Sequence, residues 1–420
     1  LIGVLKSLKA LGNTVIVVEH EEEVMQAADQ IIDLGPMAGS HGGKLVFQGN
    51  HDDLLTATDS LTADYLTGRK EIPVPGKRRE WKRSIDIKGA RENNLKNLDI
   101  TFPLEVLTVV TGVSGSGKSS LVKKILYPAL RKKIGEYTGE STGKFDAILG
   151  EFHYVKQVEF VDQNPIGKSS RSNPVTYVKA FDDIRSLFSK QQMAKLRGYK
   201  PSYFSFNVEG GRCENCKGEG EITVEMQFMA DVHLQCPVCK GKRFQSDILE
   251  ITYRGKSISD ILDMTVDDAL DFFSGSDNSA SKKIIAKLKP LQEVGLGYIH
   301  LGQSSSTLSG GEAQRIKLAS FLGKGAGHDK TMFIFDEPTT GLHFHDIEKL
   351  LKAFNALVNL GHSIVVVEHN TEVIKCADHV IDLGPEGGES GGYLVYAGTP
   401  EGLAEHPDSY TGAFLKDKLN

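Results

Sequence analysis

Three features of the 420-residue sequence predict an α/β fold. The apolar run Val106–Val110 leads through a glycine-rich turn into a helical stretch at Leu121–Leu126. A second apolar run, Met332–Phe335, ends in two carboxylates, and one 36-residue stretch occurs twice. Buried strands feeding turns and helices in this way are the mark of a parallel sheet whose strand ends carry the functional loops.

The glycine turn, Gly112–Ser119, has the spacing G-x-x-x-x-G-K-[ST] between a predicted strand and a predicted helix, the setting in which that pattern has a mechanism. Gly112, Ser114, Gly115 and Gly117 let the backbone present a row of N–H groups to phosphate oxygens, and the helix adds its positive end. Lys118 can reach the outer phosphates, Ser119 can hold Mg²⁺, and Ser120 completes the loop. The turn therefore predicts a nucleoside triphosphate site.

Charged residues make up 25% of the chain and hydrophobic ones 40%, an ordinary globular balance at a length that predicts two or three domains. No window reaches the 18 or more apolar residues of a membrane span and no signal-peptide pattern is present, which argues against a fused transporter though not against a cassette docking on separate membrane subunits; a cytoplasmic protein with no membrane partner is expected. The chain starts at Leu1 in mid-element and reads as a fragment. Net charge is −6, yet residues 166–243 hold 13 Lys and Arg against 8 Asp and Glu. A local excess of +5 fits a confined anion-binding face or simply a solvated surface.

The repeat pairs Thr14–Gly49 with Ser363–Gly398 at a constant offset of 349 residues, with about half the positions identical. Each copy predicts a buried strand ending in Glu-His, a helix, a second strand, a glycine turn and a closing strand. Residues 1–68 are thus expected to be the tail of a first cassette, and 69–83, basic and proline-bearing, a linker. A second cassette is expected over 84–163 and 304–420, interrupted by an inserted domain over 164–303.

Four more elements corroborate the phosphate loop. Val161-Asp162-Gln163 delivers Gln163, suited to contact Mg²⁺ or the attacking water. Leu308–Arg315 opens a helix with Ser309, Gly310 and Gly311 as an anion cradle. The strand ending at Asp336-Glu337 places Asp336 for water-mediated Mg²⁺ contact and Glu337, one residue on, to orient or deprotonate water. Val365–His369 ends in His369, in reach of a γ-phosphate. Together these resemble the ATP-binding cassette (ABC) superfamily, in which two cassettes enclose two nucleotides head to tail. The resemblance implies that Ser309–Gly311 serves a partner's phosphate loop, so a complete site needs a dimer of cassettes, and that Thr339–His343 lies at their contact.

Cys213-x-x-Cys216 and Cys236-x-x-Cys239, 19 residues apart, predict a structural, four-thiolate Zn²⁺ site within a module over 205–247; a redox dithiol is the alternative. Cys376 reads as a core residue. Tyr203, Phe204, Phe206, Phe228 and Phe244 flank the thiols and either stack on bases or form the module's own core. An ABC-type P-loop cassette with a zinc-containing α+β insertion before its signature, preceded by the tail of a first cassette, is similar to the UvrA family, the damage-sensing subunits of the bacterial nucleotide-excision-repair excinuclease. The carrying residues are Gly112–Ser120, Val161–Gly167, Arg171–Pro174, the two cysteine knuckles, Leu308–Arg315 and Asp336–His343. The resemblance implies an ATP- and Mg²⁺-dependent dimer that binds distorted duplex DNA and loads UvrB. By position, Lys168, Arg171, Arg212, Lys240, Lys242 and Arg243 are the candidates for the DNA face. A drug-resistance paralogue of that family and a cassette serving a transporter remain the alternatives.

Overall fold

The structure is a computed structural model that describes residues 1–39, 42–136, 139, 141–167, 169, 171–224, 226, 232–323 and 329–419. The chain forms two compact units, residues 1–162 with 326–420, and residues 163–325.

The first unit is built on a six-stranded sheet in the order Tyr393–Gly398, His379–Gly384, Leu107–Gly112, Ser363–Val367, Thr331–Asp336, Gln157–Val161. Every pairing is parallel except the antiparallel edge pair formed by the first two strands. Leu107–Gly112 and Ser363–Val367 are buried at every position, because helices and sheet cover both faces. This is why they read as continuous β-branched runs and do not alternate with polar residues. A three-stranded antiparallel sheet (Leu98–Pro103, Ser84–Ala90, Ala147–Gly150) shares one apolar cluster with the helix that follows the phosphate loop, through Ile85, Ile87, Phe102, Leu121, Val122 and Ile125. Helix Phe344–Asn359 buries Ile347, Leu350, Leu351, Phe354 and Val358 at helical spacing, with the Phe354 ring 4.7 Å from that of Phe335. The loops after Gly112, Asp336 and Val367 all leave the carboxyl ends of adjacent parallel strands, where α/β sheets place their ligands.

The first repeat copy departs from expectation. Ile31–Gly35 and Lys44–Gly49 form the predicted hairpin, but as a separate two-stranded sheet. The strand expected to precede them is absent: residues 13–20 are irregular, with Ile16 87% and Val18 91% exposed. In the second copy the matching segment is held between two strands, Leu107–Gly112 and Thr331–Asp336. No such neighbours flank residues 13–20 among the described residues, and a strand without ladder partners has no stable state to adopt. The segment 69–83 is fastened to this unit: Arg78 donates to Ala377 O at 2.9 Å and Glu401 Oε1 at 2.7 Å, and Arg79 to Asp378 Oδ2 at 3.0 Å.

The second unit is mostly helical, with Ala180–Ser189 and Val266–Ser274 packed on Ser279–Glu293, and carries the hairpin Glu221–Val224/Val232–Gln235. Helix Gly310–Leu322, expected beyond the insertion's end at 303, belongs to this unit. Its Ala313, Ile316, Leu318 and Ala319 are buried, and it packs on Ser279–Glu293 and Pro174–Tyr177. Among the described residues no helix is long and apolar enough to cross a membrane.

Candidate nucleotide and zinc sites

The phosphate loop is shaped by glycines that no other residue can replace. At Gly112, φ is +127° and a Cβ would fall 1.9 Å from Leu383 O; at Gly117, φ is +108° and a Cβ would fall 2.6 Å from the Leu95 side chain. Asn94 ties the loop down, its Nδ2 donating to Gly115 O at 2.8 Å and Gly388 O at 2.9 Å. Lys118 Nζ lies folded into the loop on Gly112 O at 2.8 Å and Val113 O at 2.9 Å. Burial draws its ammonium below the usual lysine range, against the pull of the Glu337, Asp382, Asp336 and Glu368 carboxylates. Ser119 is exposed at the helix start, whereas Ser120 is turned inward and accepts from Asn93 Nδ2 at 2.8 Å. Buried Ser116 Oγ has no hydrogen-bond partner among the described residues, an unsatisfied donor in the cradle of the kind an anion would engage.

The next two strand ends supply the acidic and imidazole groups. Asp336 is raised above the usual carboxylate range by burial and then by Glu337, with Asp162 and Glu368 adding to the effect and Lys123 opposing it. Clustered carboxylates facing a phosphate loop fit the residues a divalent cation would use. Glu337 has φ +44°, a left-handed conformation uncommon outside glycine, stabilised by its N–H on Val367 O at 2.9 Å and by Thr340 N and Oγ1 on its carbonyl. His369 stands largely exposed beside Glu368, its Nδ1 3.8 Å from Glu368 Oε2. The fold therefore gathers Gly112–Ser119, Asp336, Glu337 and His369 at the carboxyl edge of one sheet. Glu368 and Asn94 were not singled out from the sequence; the only signal for Glu368 was the Glu-His pair kept in both repeat copies.

Gln163 and the signature turn lie in the second unit and come together there, a Cβ on Gly310 falling 2.9 Å from Gln163 Cβ. Ser309 caps its helix reciprocally: its Oγ accepts from Glu312 N, and Glu312 Oε2 accepts from Ser309 N at 2.8 Å. The cradle at Ser309–Gly311 is thus already shared with the Glu312 carboxylate, whose Oε1 also accepts from Tyr298 at 2.6 Å.

Cys213, Cys216, Cys236 and Cys239 are buried, unbridged, and bring their sulfurs within 4.8 Å of one another. The Cys213–Cys236 and Cys216–Cys239 sulfurs are 3.9 and 3.6 Å apart. A tetrahedron with Zn–S bonds of about 2.3 Å has edges of about 3.8 Å, so the donor set fits Zn²⁺. Lys217 and Lys240 both have φ +50° and precede Gly218 and Gly241, giving two matching knuckles. Asn215 Nδ2 and Gly220 N each donate to a cysteine sulfur at 3.2 Å. Burial opposes ionisation of Cys236, but the N–H groups of Cys239 and Val238 and the Asn215 amide outweigh it and bring the thiol down to about 6, whereas burial pushes the Cys216 and Cys239 thiols up.

The other expectations for this unit divide. Phe204, Phe206 and Phe244 are fully buried and form its core, which removes them from base stacking; Phe228 lies outside the described residues. Arg243 is largely enclosed, 5.7 Å from the Phe206 ring centroid and donating to Gly302 O at 3.0 Å, with burial lowering its pKa. Arg212 pairs with Glu209 and Glu214 at 3.3 Å, and Arg171 with Glu219 at 3.4 Å. Lys240 and Lys242 stand exposed, and Lys168 lies outside the described residues. Cys376 is buried in the core as expected.

Sheet order, phosphate loop and acidic strand end define an ABC-type ATPase cassette. No family model matches the chain. From end to end it matches part of UvrABC system protein A, being 53% identical over 420 residues to that of Clostridium perfringens and 54% identical to that of Staphylococcus epidermidis. In each case the match takes in 100% of this chain and 44% of the relative, so the chain spans less than half the length of the curated relatives it matches. UvrA2 from Deinococcus radiodurans superposes with a TM-score of 0.92 at 44% identity, over 100% of this chain and 50% of that one. Fold and sequence match part of these UvrA proteins throughout this chain, and the four-thiol cluster is consistent with a zinc module.

Proposed function

We propose that this chain is the ATP-hydrolysing, DNA-binding part of a cytoplasmic UvrA-type subunit of the nucleotide-excision-repair excinuclease. It would recognise distorted duplex, dimerise with ATP and load UvrB. In this reading residues 1–68 close a first cassette, and the module over 205–247 presents DNA-binding groups. The observation that carries it is a phosphate loop facing Asp336 and Glu337 in one unit with a four-thiol cluster in the other, in a chain matched throughout by UvrA relatives. A transport cassette leaves the thiol-bearing unit without a role.

Each residue has a step. Lys118 leaves its loop carbonyls for the β- and γ-phosphates, whose oxygens take the N–H groups of Gly112–Ser119. Ser119 and Asp336 would hold Mg²⁺, which would supply positive charge to the phosphates. Glu337 orients the attacking water and accepts its proton, and His369 reports the γ-phosphate. Ser309–Gly311 closes over a nucleotide held by a partner cassette. Lys240 and Lys242 contact phosphates, so recognition depends on duplex shape more than on base edges.

Fluorescence anisotropy on intact and distorted duplexes, with and without MgATP, tests this. Binding is expected at low salt and is expected to weaken as salt rises. The Cys236→Ser variant is expected to lose its zinc and most of its DNA affinity while keeping nucleotide affinity. No binding to either duplex at low salt contradicts the DNA reading; full zinc content in the variant contradicts the ligand assignment.

A further inference from the structure

The carboxylate of Glu368 is completely buried, and no lysine or arginine among the described residues pairs with it. It is used up by four hydrogen bonds. Oε1 accepts from Thr339 N at 3.1 Å and from Thr339 Oγ1; Oε2 accepts from His369 N at 2.7 Å and Asn370 N at 3.1 Å. Glu368 N in turn donates to Val110 O at 3.0 Å, in the strand that feeds the phosphate loop. Burying a carboxylate is costly unless it is fully satisfied, so this one side chain dictates where its four donors sit. Two of them, the N–H groups of His369 and Asn370, belong to the loop carrying the imidazole, and two to the turn that follows Glu337.

We propose that Glu368 is the positioning residue of the nucleotide site. It locks the Glu337–Thr340 turn to the His369 loop, so that the water-orienting carboxylate and the γ-phosphate contact move as one piece. The inference rests on the nucleotide-site reading above and deepens it. Thr340 N and Oγ1 hold Glu337 O, and Thr339, next in the chain, is held by Glu368, so the strained backbone at Glu337 is secured from the His369 side. The matching residue of the first repeat copy, Glu19, is exposed.

The test is a pair of titrations, with MgATPγS and with MgADP, on the wild-type chain and on Glu368→Gln, Thr339→Val and Thr339→Ser. Glutamine has nearly the same volume but turns an N–H₂ toward donors. It is expected to weaken ATPγS binding about tenfold, the equivalent of one or two hydrogen bonds, while ADP affinity stays within about twofold. Thr339→Val should move the same way by a smaller factor, and Thr339→Ser, which keeps the hydroxyl, should restore wild-type discrimination. If Glu368→Gln fails to fold, the Thr339 pair decides alone. Equal weakening of both nucleotides, no change in either, or identical behaviour of the valine and serine variants overturns the proposal. So does a wild-type chain that binds ATPγS and ADP equally. A wild-type chain that binds neither instead refutes the nucleotide site itself.

Discussion

The two copies of the repeat share a local structure and differ in what surrounds it. Hairpins Ile31–Gly35/Lys44–Gly49 and His379–Gly384/Tyr393–Gly398 have the same register and the same bulge. Each is followed by short helices, and in each a serine spans 27 residues to the hairpin aspartate: Ser60 to Asp33 and Ser409 to Asp382, both 2.6 Å. The preceding segment differs. Val365 and Val367 are buried in the six-stranded sheet, whereas Ile16 and Val18 are exposed. The hairpin–helix piece is therefore encoded by its own residues. In this chain, which spans 44% of its relatives' length, Ser363–Val367 lies between two strands and ends in a Glu-His pair, whereas residues 13–20 have no ladder partners among the described residues.

The sharpest way to break this comparison is a matched pair of truncations. Val365→Ala should cost about 2 to 4 kcal/mol in urea unfolding, because it opens a cavity in the buried apolar cluster on the sheet face. Ile16→Ala should stay within about 0.5 kcal/mol. Equal costs would mean that residues 13–20 are packed after all.

Next in size is protonation of a residue that the second copy alone possesses. His379, whose counterpart is Gln30, is buried against Trp81 with its Nε2 unpartnered among the described residues, and burial pushes its pKa down to about 4. The folded chain keeps it neutral while the unfolded chain protonates near pH 6.5. Its stability contribution is therefore complete above that pH and is lost as pH falls toward 4, by roughly 3 kcal/mol. His379→Leu should flatten that part of the stability profile; an unchanged slope would assign the loss to other groups.

The smallest effect separates the serines. Ser409→Ala leaves the buried Asp382 carboxylate short of a donor, and should cost about 1 to 3 kcal/mol. Ser60→Ala should cost less, because Asp33 is partly exposed and water can replace the lost hydroxyl. The reverse order would show that the first copy is the better-packed one.

What could be read from the sequence follows the same division. The phosphate loop, the Asp336-Glu337 strand end and the paired cysteine knuckles were legible because each is a contiguous run whose backbone conformation its own residues dictate. Glu368 was not, since its four donors come from two loops that meet only after the strands pair. The limit of the inserted unit was misplaced because helix Gly310–Leu322 opens with a nucleotide-site motif yet buries its apolar side within that unit. Arg212 and Arg243 were candidates for the DNA face by position, and only the fold shows their guanidinium groups engaged by Glu209, Glu214 and Gly302.

The claim beneath all of this is that the carboxyl edge of the six-stranded sheet holds a nucleoside triphosphate through Lys118. Equilibrium binding of a fluorescent MgATP analogue to wild-type and Lys118→Ala chains measures it directly. Saturable binding that drops by about a hundredfold or more in the variant is the expected result, since the lysine is the loop's one charged phosphate ligand. Indistinguishable affinities in the two chains would contradict it.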